Sequence, residues 1–590
     1  MNSTSIKSTQ IAPLEGVVQA QTTGQGVFLN AHPYHTKLPP SIIKEYIKHY
    51  TNVGDTILDP FCGSGMTGVA TRLMNRVGVL NDLSTAAVHI SKGHSQIVNQ
   101  DLLREATKEV IEEVTEKINT LYQTNCSKCC GEAEIAYTIW SDVFKCPFCD
   151  SQFNLWERAV DNESGSVAKK FSCGKCDLTL NRKALTGYRM SSVPVITVYD
   201  CKNGCKRREH KTTDKEKEIL SAINKIEIPQ NAPIVKMMNV DTGQRWGEQW
   251  RSGYHSDVTH VHHFFTHRNY LALSYLHQAI TKVKDKLIRE KLLFAFTGSL
   301  IAVSRMVKYI ASRGGRSNIP GTLYIPSLNL EQNVLSVFKR RIAKVEKLCD
   351  IIKDYNELQN IFMNNTANNL AELEDNSIDY IFTDPPFGAN IQYAELNFIS
   401  EAWLGEYTDK DKEIVINNTR KHDLNRYNDL LYKSLKEMHR VLKTGSYTSL
   451  VFHNTDSKIW EGLREAIKKS GFEVSGVSML DKGKGGWNQV TSSSGTARFD
   501  IVIELKKNTE KKRKSEFNFR LTEEDFLVYL DDFLKNTPDQ EKRSRTLPYL
   551  HSKIIQLIFI KQSSTPPPDM KQLEKILSKN FININGFWYS

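Results

Sequence analysis

The chain has 590 residues, 40% of them hydrophobic, with 78 Lys and Arg against 67 Asp and Glu for a net charge of +11. That is ample apolar material for a core, and the length suits about three to five domains, or fewer with long insertions. The charge fits a polyanion partner but is modest for the length, and no apolar run is long enough for a membrane-spanning helix. The opening, MNSTSIKSTQIAPLEG, lacks the apolar stretch of a secretion signal, so a reducing cytoplasm is the expected location. Eleven cysteines are then not expected to form a disulfide framework, and nine of them crowd between Cys126 and Cys205.

Residues 1–30 are polar and rich in Ser, Thr and Gln, and are expected to form a flexible arm. TILD at 56–59 predicts a strand ending in an acid, MTGVATRLMNR a helix, and VGVLND at 77–82 a second strand. Leu103, Ala106, Val110, Val114, Ile118 and Leu121 recur at helical spacing and predict a helix over 101–122. The cysteine-rich block at 126–205 follows, then a largely helical stretch at 215–350. Strands are expected again at 361–364 (IFMN), 377–382 (SIDYIF), 446–452 (SYTSLVF) and 499–505 (FDIVIEL). Charges crowd 506–515 (KKNTEKKRKS), which reads as a linker to a small, mostly helical tail.

Between the first two strands lies Gly63-Ser64-Gly65-Met66-Thr67-Gly68, a G-x-G-x-x-G string. Glycines let the backbone turn tightly and approach a ligand closely, and Asp82 at the end of the next strand can hold ribose hydroxyls. A nicotinamide site uses the same devices. The preceding Asp59-Pro60-Phe61 points elsewhere: an acid at the strand end suits a cationic group such as an amino-acid ammonium and repels a pyrophosphate. DPFCGSG resembles motif I of amino-methylating DNA methyltransferases. HPYHTKLPPSIIKEYI at 32–47, which contains Lys37, resembles the segment that walls the cofactor pocket in those enzymes.

The second string is Thr383-Asp384-Pro385-Pro386-Phe387-Gly388, after the strand DYIF. Two prolines fix the backbone and remove two N–H donors, leaving carbonyls and one carboxylate at a strand end. Such acceptors suit an aromatic amine, whose lone pair is delocalised into its ring. Asp384 and the Pro385 carbonyl are assigned to the two amine hydrogens, and Phe387 to stacking on an extruded base. NNTANNLAELEDNSIDYIFTDPPF and LKEMHRVLKTGSYTSLVFHN resemble the surroundings of motif IV in the same family. One departure is Asn365, where the family often has an acid near the adenine ring. Asp384 in this string implies adenine N6, since cytosine-N4 enzymes usually show serine there. No Pro-Cys pair is present for C5 chemistry, and neither Cys62 nor Cys349 has activated surroundings.

Cys126-x-x-Cys129, Cys146-Pro-Phe-Cys149, Cys173-Gly-Lys-Cys176 and Cys201-Lys-Asn-Gly-Cys205 are four two-cysteine knuckles. Two knuckles complete one tetrahedron, so two structural zinc ions are expected. Pairing in sequence order is the default; interleaved pairing and use of Cys130 in place of Cys129 stay open. Lys169, Lys170, Arg182 and Lys183, with Tyr137, Trp140 and Trp156, suit either DNA contact or a solvated basic surface. His260, His262 and His263 lack metal-ligand spacing and are read as packing residues. Arg305, Lys308, Arg313 and Arg316 suit either a grip on phosphates or a solvated helix end.

The chain as a whole, over about 30–505, resembles adenine-specific DNA methyltransferases with a zinc ribbon inside the catalytic fold. The resemblance implies an α/β, doubly wound Rossmann-like sheet with a long zinc-ribbon and helical insertion and a small C-terminal helical region. The expected divisions are a cofactor half at 31–95, a helix and zinc ribbon at 96–215, a helical target-recognition insertion at 216–355, a catalytic half at 356–508, and linker plus tail at 509–590. It further implies S-adenosyl-L-methionine as cofactor, bound by Lys37, Asp59, Phe61, Gly63, Gly65, Asp82 and Asn365, with Asp384, Pro385, Pro386 and Phe387 catalytic. DNA is the implied partner, with restriction or phage-defence subunits. Cytosine-N4 methylation, RNA guanine-N2 methylation and an inactive zinc-ribbon DNA-binding protein are the alternatives.

Overall fold

A computed structural model describes residues 12–14, 16–19, 24–161, 163–164, 166–238, 245–255, 257–310, 322–354, 359–481, 499–508 and 519–590. Most of the expected arm and charged linker, and both Arg313 and Arg316, lie outside the described residues.

Eight strands form the central sheet: β1 (Val17–Gln19), β2 (Thr56–Asp59), β3 (Val77–Asn81), β4 (Ile361–Met363), β5 (Ile378–Thr383), β6 (Leu442–Phe452), β7 (Glu473–Asp481) and β8 (Phe499–Lys506). They lie in the order β1-β7-β8-β6-β5-β2-β3-β4. Every neighbouring pair is parallel except at β8, which runs against β6 and β7. The two halves of the chain meet in mid-sheet, where Tyr380 and Ile381 of β5 stand opposite Ile57 and Leu58 of β2. From this seam the strand order runs outward in both directions, which makes it the switch point of a doubly wound sheet.

Side chains alternate across the strands as the period of two requires. Ile57, Tyr380 and Phe382 enter one core, with helix Pro40–Tyr50 and the insertion helices. Leu58, Ile381 and Leu450 enter the other, with helices Leu424–Val441 and Ser457–Ser470. Both faces are covered, so these strands read as nearly continuous apolar runs.

The insertion is built on one long antiparallel pair, Glu132–Lys145 against Arg189–Cys201, running from Ala133 opposite Cys201 to Phe144 opposite Arg189 with register shifts at Ile135/Tyr137, Ile139/Trp140 and Val143/Phe144. The stretch expected to be helical from 215 to 350 also contributes a strand, Leu328–Gln332, to this ribbon sheet. Its five residues, LNLEQ, are too short to show a period against their helical surroundings. A buried ion pair fastens the ribbon to helix His267–Thr281. Arg268 Nε lies 3.0 Å from Glu331 Oε1, and Trp140 Nε1 donates to Glu331 Oε2 at 2.7 Å. Such a pair is tolerated in a core only when its remaining lone pairs are also hydrogen-bonded, as here.

The tail is a small unit with its own core, formed by helices Glu523–Asn536, Leu547–Ile560 and Met570–Asn580 and a hairpin of Ile582–Ile584 with Phe587–Tyr589. Gln556 ties it to the sheet by donating to the Val477 carbonyl at 2.9 Å.

Candidate active site

The ends of β2 and β5 are adjacent and point the same way, so both prolyl strings leave the sheet side by side. The turn after β2 is tight: Gly63 and Gly65 have φ of 47° and 75°. A Cβ on Gly65 would lie 2.5 Å from the Ser91 Cα, so helix Met66–Leu73 can approach helix Thr85–Ser95 only with glycine there. Gly63 instead faces the ring of Tyr34, 3.2 Å from where its Cβ would stand.

A cleft of about 900 Å³ opens at this seam. Lys37, Asp59, Phe61, Gly63 and Asp82 line it from the first half, and Asp384 and Pro386 from the second. Asp82 is fixed by two backbone donors, Gly63 N to Oδ2 and Ser84 N to Oδ1, both at 2.8 Å. Burial raises its carboxyl to about 6. Asp59 accepts from Phe61 N at 3.2 Å and Thr67 Oγ1 at 2.5 Å, and burial raises it to about 7. Lys37 spends its ammonium on the Leu29 and His32 carbonyls, at 3.1 and 2.5 Å, and burial lowers it to about 7.

Not every expected residue lines the cleft. Gly65 is a packing residue behind it. Asn365 braces the loop after β4: its backbone exchanges hydrogen bonds with the Asn81 side chain, and its Oδ1 accepts from Thr366 N at 2.8 Å. Thr366 and Ala367 line the cleft in its place. Pro385 is buried. Phe387 stands edge-on to Phe452 with ring centroids 5.0 Å apart.

The carbonyls of the second string are sorted by partner. Tyr427 donates to Pro386 O at 2.7 Å and Asn454 to Phe387 O at 3.0 Å, while among the described residues no hydrogen bond goes to Pro385 O. Cys62 also lines the cleft, but burial pushes its thiol well above the usual value, so it is no nucleophile.

Sequence reasoning missed Tyr34, Thr36, Ser84, Tyr393 and Glu413, all in the lining. Tyr34 and Thr36 lie inside HPYHTK and Tyr393 follows DPPFG by a few residues, so their neighbourhoods carried a signal. Tyr393 is hydrogen-bonded to Thr36, and burial together with the nearby Asp384 charge raises its phenol. Glu413 had no signal: it is buried, 2.6 Å from Arg420, and takes the Ala394 N–H at 2.9 Å.

The eight knuckle cysteines form two quartets, and their pairing corrects the sequence-order default. Cys126 and Cys129 meet Cys201 and Cys205; Cys146 and Cys149 meet Cys173 and Cys176. The long strand pair is the cause, since its register brings the first and last knuckles to one end and the middle two to the other. Cys129 and not Cys130 joins its quartet. Four thiolates around one zinc stand roughly 3.8 Å apart. Here Cys129–Cys201, Cys149–Cys173 and Cys146–Cys176 are separated by 3.5, 3.6 and 3.8 Å, which fits the ion.

The histidines pack on one another, with His262 and His263 centroids 4.3 Å apart, and burial lowers His262 to about 4. Arg305 donates to the His263 carbonyl at 3.1 Å, and Lys308 is exposed.

Residues 9–93 match the N6/N4 family model described as DNA methylase. A stretch of 50 residues is 44% identical to the Type II methyltransferase M.MjaII of Methanocaldococcus jannaschii, and it spans 8% of this chain and 9% of that protein. Among solved structures, a SAM-dependent methyltransferase of Methanosarcina mazei is 15% identical over 28% of this chain and 77% of its own, with a TM-score of 0.16. An antibiotic-related methyltransferase is 16% identical over 27% of this chain and 70% of its own, with a TM-score of 0.15. No helix among the described residues is long and apolar enough to cross a membrane.

Proposed function

We propose, on the premise that residues 9–93 are a DNA methylase segment, that this chain transfers a methyl group from S-adenosylmethionine to an exocyclic base amine in DNA, adenine N6 in preference to cytosine N4. One juxtaposition carries this: Asp59, Gly63 and Asp82 from one half and Asp384 and Pro386 from the other line a single cleft at the switch point.

Bound there, S-adenosylmethionine supplies an electrophilic methyl on a sulfonium. Asp82, held rigid by two N–H donors, is the acceptor for ribose hydroxyls. Asp59 is the acid for the amino-acid ammonium. Asp384 and the Pro385 carbonyl would accept the two amine hydrogens and draw the lone pair out of the ring onto nitrogen, and the Asp384 carboxylate would pass the proton lost on methylation to water. Positioning of the two reactants supplies most of the acceleration. Phe387, half-buried on Phe452, offers its exposed part to a base rotated out of the duplex. Each cysteine quartet holds one structural zinc, and the insertion at 96–355 reads the target. Such an enzyme would protect host DNA within a restriction or phage-defence system.

The test is to incubate the chain with DNA and labelled S-adenosylmethionine and to hydrolyse the product to nucleosides. Label in N6-methyldeoxyadenosine is expected. Label in N4-methyldeoxycytidine would move the amine assignment, label only in guanine of added tRNA would replace DNA as substrate, and none would leave an inactive binding protein.

A further inference from the structure

Beside the quartet Cys146–Cys149–Cys173–Cys176 lies a groove of about 1270 Å³ that the cleft at the switch point does not use. Three cations line it from three separate segments: Lys169 before the third knuckle, Arg182 after the strand Thr179–Asn181, and Lys308, which bridges antiparallel to Asn329 of strand Leu328–Gln332. Lys169 and Lys308 are exposed and Arg182 half-buried. No carboxylate is among the lining residues. The rim loop carries two acids outside the lining: Glu163, which is exposed, and Asp161, which is folded back onto Ser164, accepting its N–H and its hydroxyl, each at 2.7 Å. Tyr309 supplies an apolar floor, edge-on to Trp156 at 5.3 Å.

Arg182 belongs also to an adjoining depression with Arg189, Tyr254 and Tyr324, the two tyrosine rings 5.0 Å apart. Leu323, next in the chain, lines a third depression with His35, Leu396 and Ser400. His35 adjoins Tyr34 and Thr36 of the cofactor cleft, and Leu396 lies on helix Tyr393–Leu404, which opens with Tyr393 of that cleft. Arg182 thus joins the groove and its neighbour into one cationic and aromatic strip beside the Cys146 quartet, whereas the third depression is lined by the buried Met306, Leu323, Leu396 and Ile399 and carries no Lys or Arg.

We propose that this strip is a track for the phosphodiester backbone of the DNA duplex flanking the target base; this rests on the methyltransferase reading above. Three spaced cations with no carboxylate in their own lining suit a polyanion, and the groove is far larger than a single phosphate fills; Arg189 of the adjoining depression is already paired with Asp142 and Asp257 and is not counted among them. Phosphate contacts set the position of the duplex and carry no sequence information, so the strip orients DNA while other insertion residues read bases.

The experiment compares the zinc-loaded full chain with its Lys169→Ala/Arg182→Ala/Lys308→Ala variant. Fluorescence anisotropy follows binding of two labelled DNA duplexes of unrelated sequence across a salt series, and methyl transfer is measured on long unmethylated DNA that contains every short target sequence. Each neutralised phosphate contributes about one unit to the slope of log affinity against log salt. The variant is expected to lose about three units of slope, equally on both sequences, with S-adenosylmethionine affinity unchanged by calorimetry. A wild-type slope in the variant overturns the track and leaves the methyltransferase reading standing. A wild-type chain that binds duplex with the full slope, loses it in the variant, and yet transfers no methyl supports the track and overturns the methyltransferase reading.

Discussion

Asp59 sits where burial and function oppose each other. Burial lifts its carboxyl from 3.8 to about 7, so the folded chain holds a proton there that the unfolded chain has already lost. Stability contributed by that proton is full at low pH and is lost as pH climbs from 3.8 toward about 7. A cationic ligand requires the ionised form. S-adenosylmethionine affinity should therefore rise as pH passes upward to about 7 and level off above it, by roughly tenfold per unit on the rising limb. Asp59→Asn should flatten the profile; a flat profile in the wild-type chain, by calorimetry, would remove Asp59 from ammonium binding. That Asp59, Gly63, Asp82 and Asp384 stand beside one cleft was legible in the sequence because turn geometry and charge restrict which residues can stand there, whereas Gly65 packs behind it. Asn365 was read as a ligand contact and serves as a brace, and Glu413 was invisible, because tertiary neighbours set both roles.

At the scale of elements, strands and helices with strong periods were found close to their expected bounds, among them Thr56–Asp59, Val77–Asn81 and Gln100–Leu121. LNLEQ was lost in its helical context. The knuckles were legible from Cys-x-x-Cys spacing, but their pairing was not, because it depends on a strand that returns antiparallel dozens of residues later. The nested arrangement makes a sharp prediction for zinc content. Cys126→Ser/Cys201→Ser should keep one zinc per chain, since both changes strike one quartet, whereas Cys126→Ser/Cys146→Ser should lose both. Pairing in sequence order predicts the reverse for the two double variants, and elemental analysis separates the cases.

Over the whole molecule, the chain writes the half with Asp59-Pro60-Phe61 first and the half with Asp384-Pro385-Pro386 last, and folding joins them edge to edge through β2 and β5. The long insertion leaves after β3 and returns before β4, so it stands off one flank of the sheet without interrupting the seam. The order of the two halves was legible from the two prolyl strings, while the fastening of the insertion through Arg268 and Glu331 was not, because one buried pair has no sequence signature. The account stands on the seam being a catalytic centre in which one side holds cofactor and the other activates the amine. The most direct measurement pairs calorimetry of S-adenosylmethionine binding with labelled methyl transfer to DNA, for the wild-type chain and Asp384→Ala. Loss of one preorganised polar contact to the reacting group lowers turnover by about 10²–10³-fold. The account predicts a fall of that order in the variant with cofactor affinity unchanged; wild-type turnover from Asp384→Ala would contradict it.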